Sequence, residues 1–262
     1  MSQSTGTKKP TPAIAFGIDI GGSGIKGAPV DLSRGEFSAE RVRIPTPAVS
    51  TPGAVAEVVA QVVGSFKLPA DVPIGVTFPA VVQHGVARSA ANVDSSWVGT
   101  NIETVLGDAL GRPVYAFNDA DAAGYGEAVY GAARGSRGVT LITTLGTGIG
   151  TAMVVDGVLV PNLELGHLEI DGLDAESQAS DGARDRDSLS WEDWAKRLQR
   201  YYGVLEDLLW PDLIVVGGGV SKSYAKFLPL LHLRAPIVPA QLRNAAGIVG
   251  VAALAARAAK SR

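Results

Sequence analysis

Cysteine is absent from the 262-residue chain. That excludes disulfides and thiolate metal sites. Long apolar runs are also missing, since none reaches the roughly 18–20 residues a membrane span needs. No stretch resembles a secretory signal peptide. A cytoplasmic protein with no membrane partner is the expectation. Charge of either sign is scarce in the balance: the net value is -3. No global basic field therefore recruits nucleic acid, and a polyanionic ligand would need a local basic groove. What is there instead is 46% hydrophobic residues and 32 glycines. That composition fits a loop-rich α/β enzyme and not a disordered chain.

The glycines fall after strand-like runs. Ala13 to Ile20 is apolar and runs into Gly21-Gly22-Ser23-Gly24, and Ile25 to Val30 resumes as a strand. A Rossmann or P-loop fingerprint requires a helix after the glycines, and none is signalled. The alternative is a hairpin turn whose backbone amides surround phosphate oxygens. Ser23 would add a hydroxyl and Lys26 a charge. Asp19, at the strand end, would hold a magnesium ion through water. An ordinary glycine hairpin explains the same pattern. Val139 to Leu145, with Thr144 near its end, leads into Gly146-Thr147-Gly148-Ile149-Gly150 and a further strand, which repeats the unit. Leu213 to Val216 exits into Gly217-Gly218-Gly219, a loop able to pass close to a flat ligand such as adenine. Close helix packing is its other explanation.

Between the first two glycine turns lies Asn118-Asp119, at a predicted junction from a strand (Val114 to Phe117) to a helix reaching Tyr130. Ligand chemistry in doubly wound folds collects at such junctions, although Asp119 could simply cap the helix. Glu164-Leu165-Gly166-His167 places an acid and an imidazole on one turn. The pair suits sugar hydroxyls, which need acceptors and donors, or a metal fragment, which would need a second such pair. Asn92, near Trp97, is a candidate wall for a sugar pocket, and a packed Trp97 is the alternative. Glu36 to Ile44 is predicted as one strand, Val55 to Phe66 as a helix face, and Ile102 to Leu110 as a helix capped by Thr100. Most of Ile170 to Asp187 is predicted to be solvated loop, within which Ala175 to Ser180 could start a helix that points Glu176 inward. Ser190 to Leu209 is an amphipathic helix carrying Trp191, Trp194, Leu198, Tyr201, Tyr202 and Leu205. Asn244 to Lys260 is an Ala-rich helix capped by Asn244.

As an ordered set these motifs resemble the sugar kinase, actin and Hsp70 superfamily, and within it the ROK family. Asp19 to Lys26 looks like the first phosphate motif of that family. Asn118-Asp119-Ala120 looks like its catalytic pair, Leu145 to Gly150 its second phosphate motif, and Glu164 to His167 its sugar motif. The resemblance implies an α/β, two-lobed, ribonuclease H-like fold with a cleft between the lobes. The lobes would be residues 13–117, joined by a C-terminal helix 244–262, and residues 118–243, with 1–12 a disordered tail. It implies Asp119 as general base in phosphoryl transfer from ATP or polyphosphate to the 6-hydroxyl of glucose or mannose. Asn92, Asn118, Asp119, Glu164, His167 and Glu176 would hold the sugar. Asp19, Gly21, Gly22, Ser23, Lys26, Thr144, Gly146, Thr147, Gly148, Gly218 and Gly219 would hold the donor with Mg2+. The family's Cys-rich zinc site has no counterpart here, so no zinc is expected, and its terminal Glu falls on Glu176. Lys222, Lys226, Arg197 and Arg200 are candidates for a polyphosphate groove. The resemblance also implies a homodimer. The rival functions are sugar-binding regulation and a non-catalytic protein on the same fold.

Overall fold

The computed structural model describes residues 13–90 and 93–261. Asn92 and the 1–12 segment lie outside the described residues. The chain forms two compact units. The first runs to Phe117 and is taken up again at Val251, and the second is Asn118–Gly250.

The first unit contains β1 (Ile14–Gly21), β2 (Gly24–Asp31), β3 (Glu36–Phe37), β4 (Val42–Ile44), α1 (Pro52–Gly64), β5 (Ile74–Phe78), β6 (Val82–Gln83), β7 (Val86–Ala87), α2 (Ile102–Leu110) and β8 (Val114–Asn118). Its main sheet has the order β3-β2-β1-β5-β8, with β4 also on β2. β1 is antiparallel to β2 and parallel to β5. The valines of α1 at helical spacing, Val55, Val59 and Val62, are fully buried with Phe16 and Ile18 of β1. Each such side chain contributes roughly 1.5–3 kcal/mol by leaving water. The predicted single strand from Glu36 to Ile44 is instead two short strands, both paired to β2. The cap of α2 is Asn101, not Thr100: its side chain accepts from the Thr104 N–H at 2.9 Å. Trp97 is fully buried, its ring tilted at 57° to that of Phe78 with centroids 4.6 Å apart, and its Nε1 donates to the Ser50 carbonyl at 2.9 Å. It is a core residue.

The second unit contains α3 (Asp119–Tyr130), β9 (Val139–Leu145), β10 (Ile149–Val155), β11 (Val158–Val160), β12 (Glu169–Ile170), β13 (Leu173–Asp174), α4 (Ala175–Ala179), α5 (Asp181–Arg186), α6 (Trp191–Leu209), β14 (Leu213–Gly217), β15 (Ile237–Pro239) and the start of α7 (Ala246–Ser261), whose residues from Val251 on belong to the first unit. The sheet order is β11-β10-β9-β14-β15. β9 is antiparallel to β10 and parallel to β14. Both units thus use one plan: an antiparallel meander with parallel strands added beside its first strand.

Residues 170–187 are not mostly loop. They fold into a two-stranded hairpin and two short helices, capped by Asp174 and Ser180. The indole of Trp194, buried on α6, donates to the carbonyls of Ala179 and Ser180 at 3.0 and 3.2 Å. Asn244 sits within a single 3-10 turn, Arg243–Ala245, that leads into α7. Gly250 of α7 lies against α3 so closely that an added Cβ would stand 1.7 Å from the Ala122 carbonyl oxygen.

Candidate functional site

α3 is short of apolar side chains and rich in small ones, and this sets where its first turn lies. A Cβ at Gly124 would meet Ala152 at 2.5 Å, and one at Gly150 would meet Ala120 at 2.9 Å. The small faces let α3 press onto β10. The first turn of α3 is thereby seated beside the turn that joins β9 to β10. Asn118 is the N-cap, its Oδ1 accepting from the Asp121 N–H at 3.0 Å. Asp119 is the first residue of α3 and is exposed. Asp119 and Asp121 place two carboxylates in the first turn, where the helix dipole favours negative charge.

Asp121 is only 2% exposed. Its Oδ2 accepts from the Asn162 N–H at 2.8 Å, while Oδ1 has no hydrogen-bond partner. Burial pushes its pKa up to about 7; the Asn162 bond opposes the rise, and the charges of Glu164 and Asp119 add to it. Sequence reading passed over this residue. Its only signal was an acid on a helix position that faces inward.

Glu164 and His167 bracket one 3-10 turn and both are exposed. Partial desolvation raises the pKa of the Glu164 carboxyl, His167 works against the rise, and Glu176 adds to it. Nδ1 of His167 donates to Oδ2 of Asp174 at 3.0 Å. That bond, opposed by some desolvation and reinforced by the charges of Glu176, Asp174 and Glu164, raises the histidine pKa. Asp174 is held in turn by the Ser177 N–H at 2.8 Å. It is another residue sequence reading did not assign. Glu176 reaches the β9–β10 turn: its Oε2 accepts from the Ile149 N–H at 2.7 Å. Asp119, Asp121, Glu164, His167 and Glu176 therefore form one electrostatic group inside the second unit.

At Gly148 and Gly150 the β9–β10 turn needs glycine for space and not for backbone angle, since no residue from Gly146 to Gly150 has a positive φ. A Cβ on Gly148 would stand 2.3 Å from the Glu176 carboxylate. Part of the turn's hydrogen bonding is used internally. The Gly146 N–H donates to the Gly148 carbonyl at 2.9 Å, and the Gly182 N–H donates to the Gly146 carbonyl at 2.9 Å. The amides of Thr147 and Gly148 are the turn's candidates for an anion. Thr144, one residue before the strand end, has its hydroxyl over Gly150. Gly218 has a φ of 82°, and a Cβ there would collide with the Leu145 carbonyl at 2.1 Å, so the third glycine loop packs against the second. Gly219 opens the following 3-10 segment. Beside it is a pocket of about 500 Å³ whose lining includes Lys222, Tyr224, Gln241 and Arg243. Glu127 of α3, buried, supports that wall: its carboxylate accepts from Leu242 at 2.7 Å, Gln241 at 3.1 Å and Ala132 at 2.8 Å.

The other basic candidates are engaged. Arg197 donates to Asp187 at 2.7 Å, Arg200 makes two bonds to Asp171 at 2.8 and 2.7 Å, and the Lys226 ammonium lies 5.3 Å from the Trp191 ring.

In the first unit, Gly21 pairs with Gly24 across the β1–β2 turn, with Gly22 and Ser23 exposed at its tip. Lys26 does not project freely: its ammonium donates to Asp19 Oδ2 at 2.9 Å, and Thr77 donates to Asp19 Oδ1 at 3.0 Å. The cation over the turn is Arg43, which donates to the Ser23 carbonyl at 2.8 Å. A Cβ on Gly24 would stand 2.7 Å from its Nε. Arg43 was absent from the sequence reading, and only the β2–β4 register, Lys26 opposite Arg43, reveals it.

No group of three or more His, Asp or Glu residues suited to a metal ion occurs among the described residues. Among them, no helix is long and apolar enough to cross a membrane.

The ROK family model matches residues 15–182. The chain is 48% identical to the polyphosphate glucokinase of Mycobacterium tuberculosis H37Rv over 243 residues, covering 92% of this chain and 91% of that protein. It is 47% identical to the polyphosphate glucokinase of Mycobacterium leprae, over 90% of this chain and 73% of that protein. The crystal structure of the inorganic polyphosphate/ATP-glucomannokinase from Arthrobacter sp. strain KM superposes with a TM-score of 0.89 at 56% identity, covering 94% of this chain and 100% of that one. The chain belongs to the ROK family.

Proposed function

We propose that this protein is a sugar kinase that transfers a phosphoryl group from polyphosphate or ATP to the 6-hydroxyl of glucose, with mannose as a second acceptor. The observation that carries the reading is the placement of Asp119. It is an exposed carboxylate on the first residue of α3, grouped with Glu164, His167 and Glu176 and seated beside a glycine turn. A carboxylate there takes the proton of the attacking hydroxyl, a contribution of about 10²–10⁴ in rate. Asn118, Glu164, His167 and Glu176 hold the remaining hydroxyls. Nδ1 of His167 is fixed on Asp174, so Nε2 is the nitrogen presented to a ligand. Asn118 also sets the direction of the first turn through its cap.

Within the second unit the donor is held by the amides of Thr147 and Gly148 and by Lys222 and Arg243 in the pocket beside Gly218 and Gly219; in the first unit the amides of Gly22 and Ser23 with Arg43 are a separate set suited to phosphate. Arg197 and Arg200 face carboxylates and Lys226 lies over the Trp191 ring, so Lys222 and Arg243 are the groove cations we favour. A divalent ion, taken as Mg2+, suits these residues only as an ion delivered with the donor phosphates. Both oxygens of Asp19 already accept hydrogen bonds, which leaves a water-mediated role for that carboxylate. Such an ion neutralises charge on the transferring phosphate. A homodimer is the assembly we expect, after the family.

The test is steady-state kinetics of Asp119→Ala with glucose against ATP and long-chain polyphosphate. Turnover should fall at least about 100-fold with both donors while glucose affinity stays within about tenfold. Wild-type turnover in that variant would remove the base assignment. Absence of sugar phosphate from the unmodified protein with both donors would remove the kinase reading.

A further inference from the structure

Glu164 is suspended in a segment pinned on both sides. Thr151 on β10 donates its hydroxyl to the Leu163 carbonyl at 2.5 Å and accepts from the Leu165 N–H at 3.1 Å. One residue further back, the Asn162 N–H donates to Asp121 at 2.8 Å. Asn162 itself is held in the left-handed region, with a φ of 59°. Asp121 is the only member of this set that belongs to α3, two residues from Asp119. It is buried, and one of its oxygens has no partner. A carboxyl kept at such a place is costly unless its acceptor oxygen is needed.

We infer that Asp121 is a positioning residue: through its bond to the Asn162 N–H it fixes the segment carrying Glu164 against the helix turn carrying Asp119. The inference rests on the proposed kinase reading for its consequence, though not for the bond itself. The bond crosses from α3 to the stretch between β11 and the Glu164 turn, which belong to no common ladder or helix. Thr151 secures Glu164 to the sheet, and Asp121 secures the same segment to the catalytic helix. Releasing it frees Glu164 to move relative to the base, while the helix turn carrying Asp119 stays capped by Asn118 through the Asp121 N–H. The loss should therefore appear first in sugar binding and second in turnover.

The charge of Asp121 is not what the clasp uses. An asparagine also presents an acceptor oxygen there. The two substitutions Asp121→Asn and Asp121→Ala consequently separate acceptor from bulk, and Asp121→Leu fills the space without an acceptor.

The experiment combines kinetics with hydrogen exchange of the peptide covering residues 160–167. Asp121→Ala should raise the glucose KM about tenfold or more with a smaller drop in kcat, and should speed exchange in that peptide. Asp121→Asn should return both to within about threefold of the unmodified protein. If Asp121→Ala does not fold, Asp121→Leu takes its place with the same expected pattern. Unchanged exchange and unchanged KM in the variant lacking an acceptor would overturn the clasp. So would an Asn variant impaired as badly as the Ala or Leu variant while melting normally. Failure of the unmodified protein to phosphorylate glucose would refute the kinase reading alone, since the exchange measurement still judges the clasp.

Discussion

The buried carboxyl of Asp121 makes stability depend on pH in an unusual direction. Its pKa rises from 3.8 to about 7 on folding, chiefly through burial. The folded state therefore holds a proton that the unfolded state has released over that whole range. The sign follows from linkage: where the native state binds more protons, stability falls as pH rises. The contribution is fully present below pH 4 and is lost by the time pH exceeds 7. A difference of about three pKa units, at about 1.4 kcal/mol each, gives on the order of 4 kcal/mol. Asp121→Asn removes this titration and leaves every other group in place. The measurement is denaturant unfolding of both proteins from pH 4.5 to pH 8.5, taken as a difference so that other titrations cancel. The asparagine variant should gain on the unmodified protein by about 3 kcal/mol between pH 5 and pH 8, or roughly 5–10 °C in midpoint at about 2–4 °C per kcal/mol. A difference that stays flat across that range would show that Asp121 is ionised at neutral pH in the folded state, and the argument from burial would fail.

Three other substitutions test the packing and the site. Gly250→Ala would normally gain up to about 1 kcal/mol within a helix, but here its Cβ meets the Ala122 carbonyl. It should instead cost about 3 kcal/mol or more, visible as a lower melting temperature; an unchanged midpoint would refute the close α3–α7 contact. Gly148→Ala drives its methyl into the Glu176 carboxylate and should break the Glu176 bond to Ile149. Both donor and glucose KM should rise, and a rise in neither would disprove the coupling of turn to carboxylate. Glu127→Ala leaves three backbone N–H groups without their acceptor. A loss of about 3–5 kcal/mol is expected, with a weaker donor KM wherever the variant folds, and calorimetric stability equal to the unmodified protein would count against it.

The sequence was most legible where local and long-range demands coincide. The alternation of apolar strand and glycine turn identified both hairpins, because β1–β2 and β9–β10 are each closed by residues adjacent in the chain. The apolar face of α1 and the cap at Ser190 were readable for the same reason. Residues 170–187 were misjudged because their composition is polar while their order comes from elsewhere. Asp174 and Ser180 cap two short helices, and Trp194, far along the chain, holds the joint between them. Arg43 and Asp174 were invisible as site residues because strand register and a His167 partner place them, not spacing. Lys26 and Arg200 illustrate the reverse: each looks like a free cation in the sequence and is bound to a carboxylate in the fold.

The strand order β3-β2-β1-β5-β8 of one unit is repeated as β11-β10-β9-β14-β15 in the other. Any substitution at a hairpin turn consequently has an internal control built into the same polypeptide. A change at Gly24 can be judged against one at Gly148, with host architecture, expression and solvent held constant. What differs between the paired mutants then measures the chemistry particular to each turn: an arginine over one, a glutamate beneath the other.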